Sequence, residues 1–224
     1  TLGWRCINPV MQSRYGVDSM TQTADNLARE HGITRDCQDT YALRSQQRTA
    51  RAQAEGWLAE EITAVQISNG SDSIVVDEDE HPRPNITLEQ LAKLKPLLGT
   101  DSTITAGNAS GINDGACALL LASAAALNTH RLQPLARVIS PAAVGVAPRI
   151  MGIGPVPAIH KLLAKIGQRL DQFDRIEINE AFADQVLACT RSLGLTDDAE
   201  HVNGNGGAIP LAHPLGASGA RLVM

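Results

Sequence analysis

The feature that most constrains this chain is a change of texture at Thr103. From that point short apolar runs lead into glycine-bearing turns and then into apolar runs at helical spacing: 103–106 reads as a strand, 107–111 as a turn and 113–127 as a helix. The pattern continues with a strand at 136–140, a helix at 155–166, a strand at 175–179 and a helix from 181 to about 193. The helix at 155–166 carries proline in its first turn, where a missing N–H breaks no helical bond. Alternating strands and helices specify a layered α/β core. Only 3% of residues are aromatic and 19 are glycine, so that core is expected to pack through small side chains and close backbone approaches.

The chain before Thr103 is more polar. Two helical patterns flank the break His31-Gly32-Ile33-Thr34; Thr34 can cap the second helix, and Glu55-Gly56 ends it. Residues 62–67 alternate like a strand, 69–85 read as loop stiffened by His81-Pro82-Arg83-Pro84, and Thr87 opens a short helix through Lys93. This region is expected to form an α-rich lid. At the other end, a helix starting at Ser218 runs out at Met224, too short to be stable alone, which points to a piece of a longer protein.

A formal net charge of -5 provides no extended basic surface, so nucleic acid is not an expected partner. No apolar run is long enough for a membrane span, and the first residues do not read as a signal peptide, which leads to a cytoplasmic expectation. Cys6, Cys37, Cys117 and Cys189 form no C-x-x-C pair and stand near no histidine cluster, so neither zinc nor a disulfide framework is expected. Cys117 and Cys189, in apolar helical runs, read as small buried hydrophobes, and none of the four reads as an activated thiol.

Three segments can carry chemistry. Asn179-Glu180-Ala181-Phe182 follows a short apolar strand and opens a helix, where side chains and free amides leave the carboxyl edge of a sheet, although such residues can equally satisfy local backbone groups. His213 stands in a run of small residues that leaves an imidazole open to a ligand, with a structural histidine as the equal alternative. The turn from Gly107 to Gly115 includes Ser110 and joins a strand to a helix, a setting that can hold a polar or anionic group. Two other readings fail. Gly152-Ile153-Gly154-Pro155-Val156-Pro157 lacks the third glycine of a dinucleotide fingerprint, and neither Ser110 nor Ser218 stands in G-x-S-x-G.

Taken in order, Gly107 to Gly115, Gly145 to Ala158, Asn179 to Phe182 and Val202 to Arg221 resemble the successive signatures of the thiolase family, with the likeness running from Leu2-Gly3-Trp4-Arg5 to Met224. The resemblance implies a thiolase-like layered α/β fold, incomplete here. It divides the chain into a loop or lid domain at 1–98, the last strand and helix of an N-terminal core half at 99–131, and a truncated C-terminal core half at 132–224. It implies an acyltransferase that cleaves a 3-oxoacyl-CoA to acetyl-CoA and a shortened acyl-CoA, or runs the reverse condensation. Coenzyme A is then a substrate, no metal or redox cofactor is needed, and the full-length form is a dimer or tetramer. Asp18-Ser19-Met20, where acetoacetyl-CoA members carry His-Met, favours the degradative members acting on 3-oxoadipyl-CoA, with acetoacetyl-CoA or a medium-chain 3-oxoacyl-CoA as the alternative substrate.

By the same resemblance His213 is the base that activates a cysteine thiol, and Asn179 joins it in holding a water at the enolate oxygen. Ser110 meets the pantetheine arm, Arg83 the adenine end of coenzyme A, and Met151, Ala181 and Phe182 line the pocket. The family's Cys-x-Ser and Cys-x-Gly segments do not occur in the sequence, so the chain alone is expected to be inactive. Ala212 stands where the family has glycine, which matters if that position has positive φ, and Pro210 replaces a small residue. A non-catalytic acyl-CoA-binding module and the related condensing synthases are the rival readings; Asn179-Glu180-Ala181-Phe182 argues against the second. An uncovered half-core would be aggregation-prone.

Overall fold

The computed structural model describes residues 5–70 and 72–224. Leu2-Gly3-Trp4, the opening of the resemblance, lies outside the described residues. Most of the regular structure is helical. α1 (Pro9–Tyr15) is capped by Asn8, whose side chain accepts from the Val10 and Met11 amides. α2 (Met20–Glu30) is capped by Ser19 and α3 (Arg35–Ala54) by Thr34, on either side of the expected break; Gly56 at φ 83 stops the helical path before α4 (Trp57–Glu61). α5 (Leu88–Ala92) opens with a capping box in which Thr87 and Gln90 satisfy each other's amides.

β1 (Val65–Asn69) and β2 (Asp72–Val76) form an antiparallel hairpin with Val65 opposite Val76 and Ile67 opposite Ile74. The second strand corrects the loop expected at 69–85. Ser, Asp and Gly dominate the start of that stretch and mask the Ile74-Val75-Val76 run that β1 pairs with. Beyond it come α6 (Ala124–His130), a 3₁₀ turn at Pro148–Ile153, α7 (Pro155–Ile166), α8 (Ala183–Ser192), and the short α9 (Ala208–Leu211) and α10 (Ser218–Arg221). No helix among the described residues is long and apolar enough to cross a membrane.

The core lies where α2 and α3 pack on α8. Leu27, Ala28, Tyr41 and Ala42 meet Ile178, Val186, Leu187 and Ile209, and every residue of α8 from Ala183 to Thr190 is buried. The buried stretch includes the polar Asp184, Gln185 and Thr190 beside the apolar Val186, Leu187, Ala188 and Cys189. The loop from 197 to 205 is held by the basic side of α3. The Arg48 guanidinium donates to the carbonyls of Val202 at 2.6 Å and Ala199 at 3.1 Å, Arg51 to that of Gly204 at 2.9 Å, and Arg44 to that of Asp197.

The layered sheet expected at 103–106, 136–140 and 175–179 does not form among the described residues, whose one sheet is the hairpin. Only isolated bridges join Ala109 to Phe182 and Ile176 to Val202. At 175–179 a side chain takes over from the missing ladder: Asn203 accepts from the Ile178 amide at 2.8 Å and donates to the Ile178 carbonyl at 2.9 Å. The helix expected at 113–127 is also absent up to Ser123, and 112–123 and 133–147 run without helix or strand except for a bend. Leu120 is 83% exposed and Leu135 fully so. A strand satisfies its backbone only by pairing, and nothing among the described residues pairs with these runs. Cys117 accordingly is half-buried within an otherwise exposed segment that has no helix or strand, whereas Cys189 is buried in α8 as expected.

Candidate active site

Three separate sequence segments meet around residues 108–111. Asn108 is fully buried and anchors the turn: its side chain accepts from the Thr105 amide at 2.7 Å and donates to Asp39 and to the Thr103 carbonyl, each at 3.0 Å. Its own carbonyl accepts from the Ala183 amide at 2.8 Å. Ser110 donates to the Ala181 carbonyl from its amide at 3.0 Å and from its hydroxyl at 3.1 Å. Gly111 accepts from the His213 amide at 2.9 Å. Ser110, Ala181 and Phe182 are thereby brought together, with the His213 backbone one residue along. Phe182 packs on Ala24, Ile104 and Ala109.

His213 is half-buried, and its Nδ1 lies 2.7 Å from the hydroxyl of Ser218, itself buried, which also donates to the Pro214 carbonyl at 3.2 Å. Burial, and then the positive field of Arg221, lower the imidazole pKa, which favours the neutral ring. The residue before it, Ala212, sits at φ 67 and ψ 178, a conformation natural only to glycine. Asn179 carries a buried Oδ1 with no hydrogen-bond partner. Met151 stands half-exposed in the 3₁₀ turn at Pro148–Ile153. Arg83 is exposed and lines an open cavity of ≈ 490 Å³ with Pro82, Asn85, Ile86, Gln90 and Leu94, which shares no lining residue with the cluster around Gly111.

Glu180 was the least legible member of its motif. It is wholly buried and accepts from the Tyr41 hydroxyl at 2.8 Å, from Ser45 at 2.7 Å, from Asn203 at 3.1 Å and from the Ile209 amide at 3.1 Å. It thus ties α3 to both ends of the glycine-rich stretch at 203–209. Gly207 must lack a side chain because a Cβ there would lie 2.4 Å from the Glu180 carboxyl carbon. Only the placement of an acid beside Asn179, at the end of an apolar run, hinted at such a hub.

Cys37 lies in the first turn of α3. Its pKa is lowered by the Thr34 cap and by Arg191, whereas burial pushes Cys189 up to about 12. Among the described residues no cluster of three or more His, Cys, Asp and Glu side chains could hold a metal ion.

Residues 6–125 match the model of the thiolase N-terminal domain, and residues 132–224 match that of the thiolase C-terminal domain. The chain belongs to the thiolase family. The beta-ketoadipyl-CoA thiolase of Pseudomonas aeruginosa is 60% identical over the whole of this chain, which covers 56% of that protein. The 3-oxoadipyl-CoA/3-oxo-5,6-dehydrosuberyl-CoA thiolase of Escherichia coli (strain K12) is 53% identical over the same share. The chain therefore spans a little over half the length of these relatives. Among solved structures, the acetyl-CoA acetyltransferase of Bacillus anthracis superposes with a TM-score of 0.89 at 42% identity, over 99% of this chain and 58% of that one. Human mitochondrial 3-ketoacyl-CoA thiolase in complex with CoA gives a TM-score of 0.82 at 44% identity, over 92% of this chain and 50% of that one. The thiolase fold thus holds for this chain even though its sheet is little developed.

Proposed function

We propose that this chain is part of a degradative thiolase that cleaves 3-oxoadipyl-CoA by thiolysis, giving acetyl-CoA and a shortened acyl-CoA. The single observation that supports it most is the convergence of Ser110, Ala181 and His213 on the turn at 108–111, in a chain 60% identical to a beta-ketoadipyl-CoA thiolase. In this reading a cysteine thiolate attacks the 3-oxo carbon, the bond to the α-carbon breaks, and acetyl-CoA leaves as its enolate, to be protonated. The thiol of coenzyme A then takes the acyl group from the cysteine.

His213 suits the base because a ring held neutral at physiological pH can accept the thiol proton. Asn179, with a buried amide oxygen that no protein group engages, suits the acceptor that holds a water, which in turn donates to the enolate oxygen. Ser110 and the Ala181-Phe182 wall take the pantetheine arm, and Met151 borders the acyl pocket. Arg83, over its open cavity, receives the adenine end. None of Cys6, Cys37, Cys117 and Cys189 stands in Cys-x-Ser or Cys-x-Gly, so these residues supply no nucleophile.

Thiolysis of 3-oxoadipyl-CoA, followed as acetyl-CoA release, tests the reading. The 224-residue chain gives no release above background but binds CoA; the full-length protein turns over, and His213→Ala lowers its rate by about 10²–10⁴-fold. Ordinary turnover by the 224-residue chain, on the order of 10 s⁻¹, would overturn it. The strained Ala212 favours a second reading, a non-catalytic acyl-CoA-binding module, which predicts CoA binding and no thiolysis even by the full-length protein.

A further inference from the structure

His81, in the segment between β2 and α5, has no part in the scheme above. Its Nδ1 lies 2.8 Å from the carbonyl oxygen of Pro210. A carbonyl only accepts, so the proton of this bond sits on Nδ1. The other edge of the ring rests on Gly111, where a Cβ would fall 2.4 Å from Nε2 and 3.0 Å from Cδ2. The imidazole therefore occupies the space that any side chain at 111 would need.

Pro210 and Gly111 are the two pieces of backbone that carry His213. Pro210 lies three residues before it in α9, and Gly111 accepts its amide at 2.9 Å. Between Pro210 and His213 stands Ala212 at φ 67, and a side chain keeps such a backbone only where its surroundings over-determine it. We propose that His81 is a positioning residue for His213: one ring from the lid clamps both backbone walls of that histidine and holds it in register with Ser218. This rests on the thiolase reading only for its consequence in catalysis, since the clamp concerns where the His213 ring sits.

The test is a ¹⁵N NMR titration of His213 in the 224-residue chain and in its His81→Asn, His81→Gln and His81→Ala variants. The asparagine amide can occupy the place of Nδ1 and donate to Pro210, so His81→Asn should leave the His213 titration where it is. Glutamine reaches instead towards the place of Nε2. In His81→Gln and His81→Ala the site loosens, water reaches the ring, and the His213 pKa rises towards about 6.5, against the unchanged field of Arg221. A His213 titration identical in all four proteins overturns the proposal, as does His81→Asn behaving like His81→Gln. Should His81→Ala fail to fold, the Asn and Gln variants, which both retain bulk, still decide. If the full-length protein shows no thiolysis while the NMR pattern holds, the enzymatic reading fails and the clamp stands.

Discussion

The helices α2, α3 and α8 are the more polar in sequence and yet supply the buried core, whereas the more apolar runs at 112–123 and 133–147 are largely exposed. Leu187 in α8 is 1% exposed, whereas Leu120 is 83% exposed. The difference is one of backbone chemistry. A helix satisfies its own N–H and C=O groups and needs only a face to pack on, whereas an extended run needs another run alongside it. The chain spans a little over half the length of its relatives, and the part that packs into a buried core is the part whose hydrogen bonds close within it. The site belongs mostly to that part: Asn108, Glu180 and Asn203 are side chains that finish backbone work which a sheet would otherwise do.

The largest effect should come from Glu180. Replacing it with leucine leaves the Tyr41 and Ser45 hydroxyls, the Asn203 amide and the Ile209 N–H without their shared acceptor; at about 1–3 kcal/mol for each buried orphan, the chain should lose its cooperative unfolding transition in urea. A normal transition in Glu180→Leu would show that the ordered region does not depend on this hub. Truncation of one leucine in each region then sharpens the contrast. Leu187→Ala should cost about 2–5 kcal/mol in denaturant unfolding, and Leu120→Ala within about 0.5 kcal/mol of nothing. Equal costs would mean that the extended run is packed in solution.

Burial pushes Asp184 and Glu177 up to about 7, and both carboxylate oxygens of Asp184 are buried without a hydrogen-bond partner. Folded-state values above the ordinary carboxylate range mean that the protonated forms favour folding. Their contribution is complete below about pH 4 and is lost as pH rises through about 7. Asp184→Asn should flatten that slope and gain about 1–3 kcal/mol at pH 8, read as the shift in thermal midpoint; an unchanged slope would remove Asp184 from the account. A smaller gain is expected at Ala212. Ala212→Gly relieves the positive φ, worth about 1–3 kcal/mol, against about 0.5–1 kcal/mol of added chain entropy in the unfolded state, for a net gain of about 1 kcal/mol. A loss of stability there would mean that the buried methyl matters more than the backbone.

The sequence made the helical parts legible because their signals are local. Thr34 and Thr87 cap where a capping residue should, and Gly56 stops the chain where a left-handed residue is needed. The strand expected at 62–67 forms as β1, but those of the expected core were misread because their condition is not local: 103–106 and 136–140 have strand composition, but composition cannot supply a neighbour. The site motifs were visible as types, and the possible positive φ at 212 was visible as a question. Glu180, Asn203 and His81 could not be assigned from sequence, because each acts through partners far away in the chain, as Tyr41 with Glu180 and Pro210 with His81.

Hydrogen exchange resolved by residue tests the central claim most directly, because the bonds that gather the site and the runs that lack partners lie next to each other in sequence. The account predicts slow exchange for the amides of Ser110, Ala183 and His213, all bonded within the site, and fast exchange across 112–121. Uniform protection through 108–121, or unprotected amides at Ser110 and His213, would contradict it.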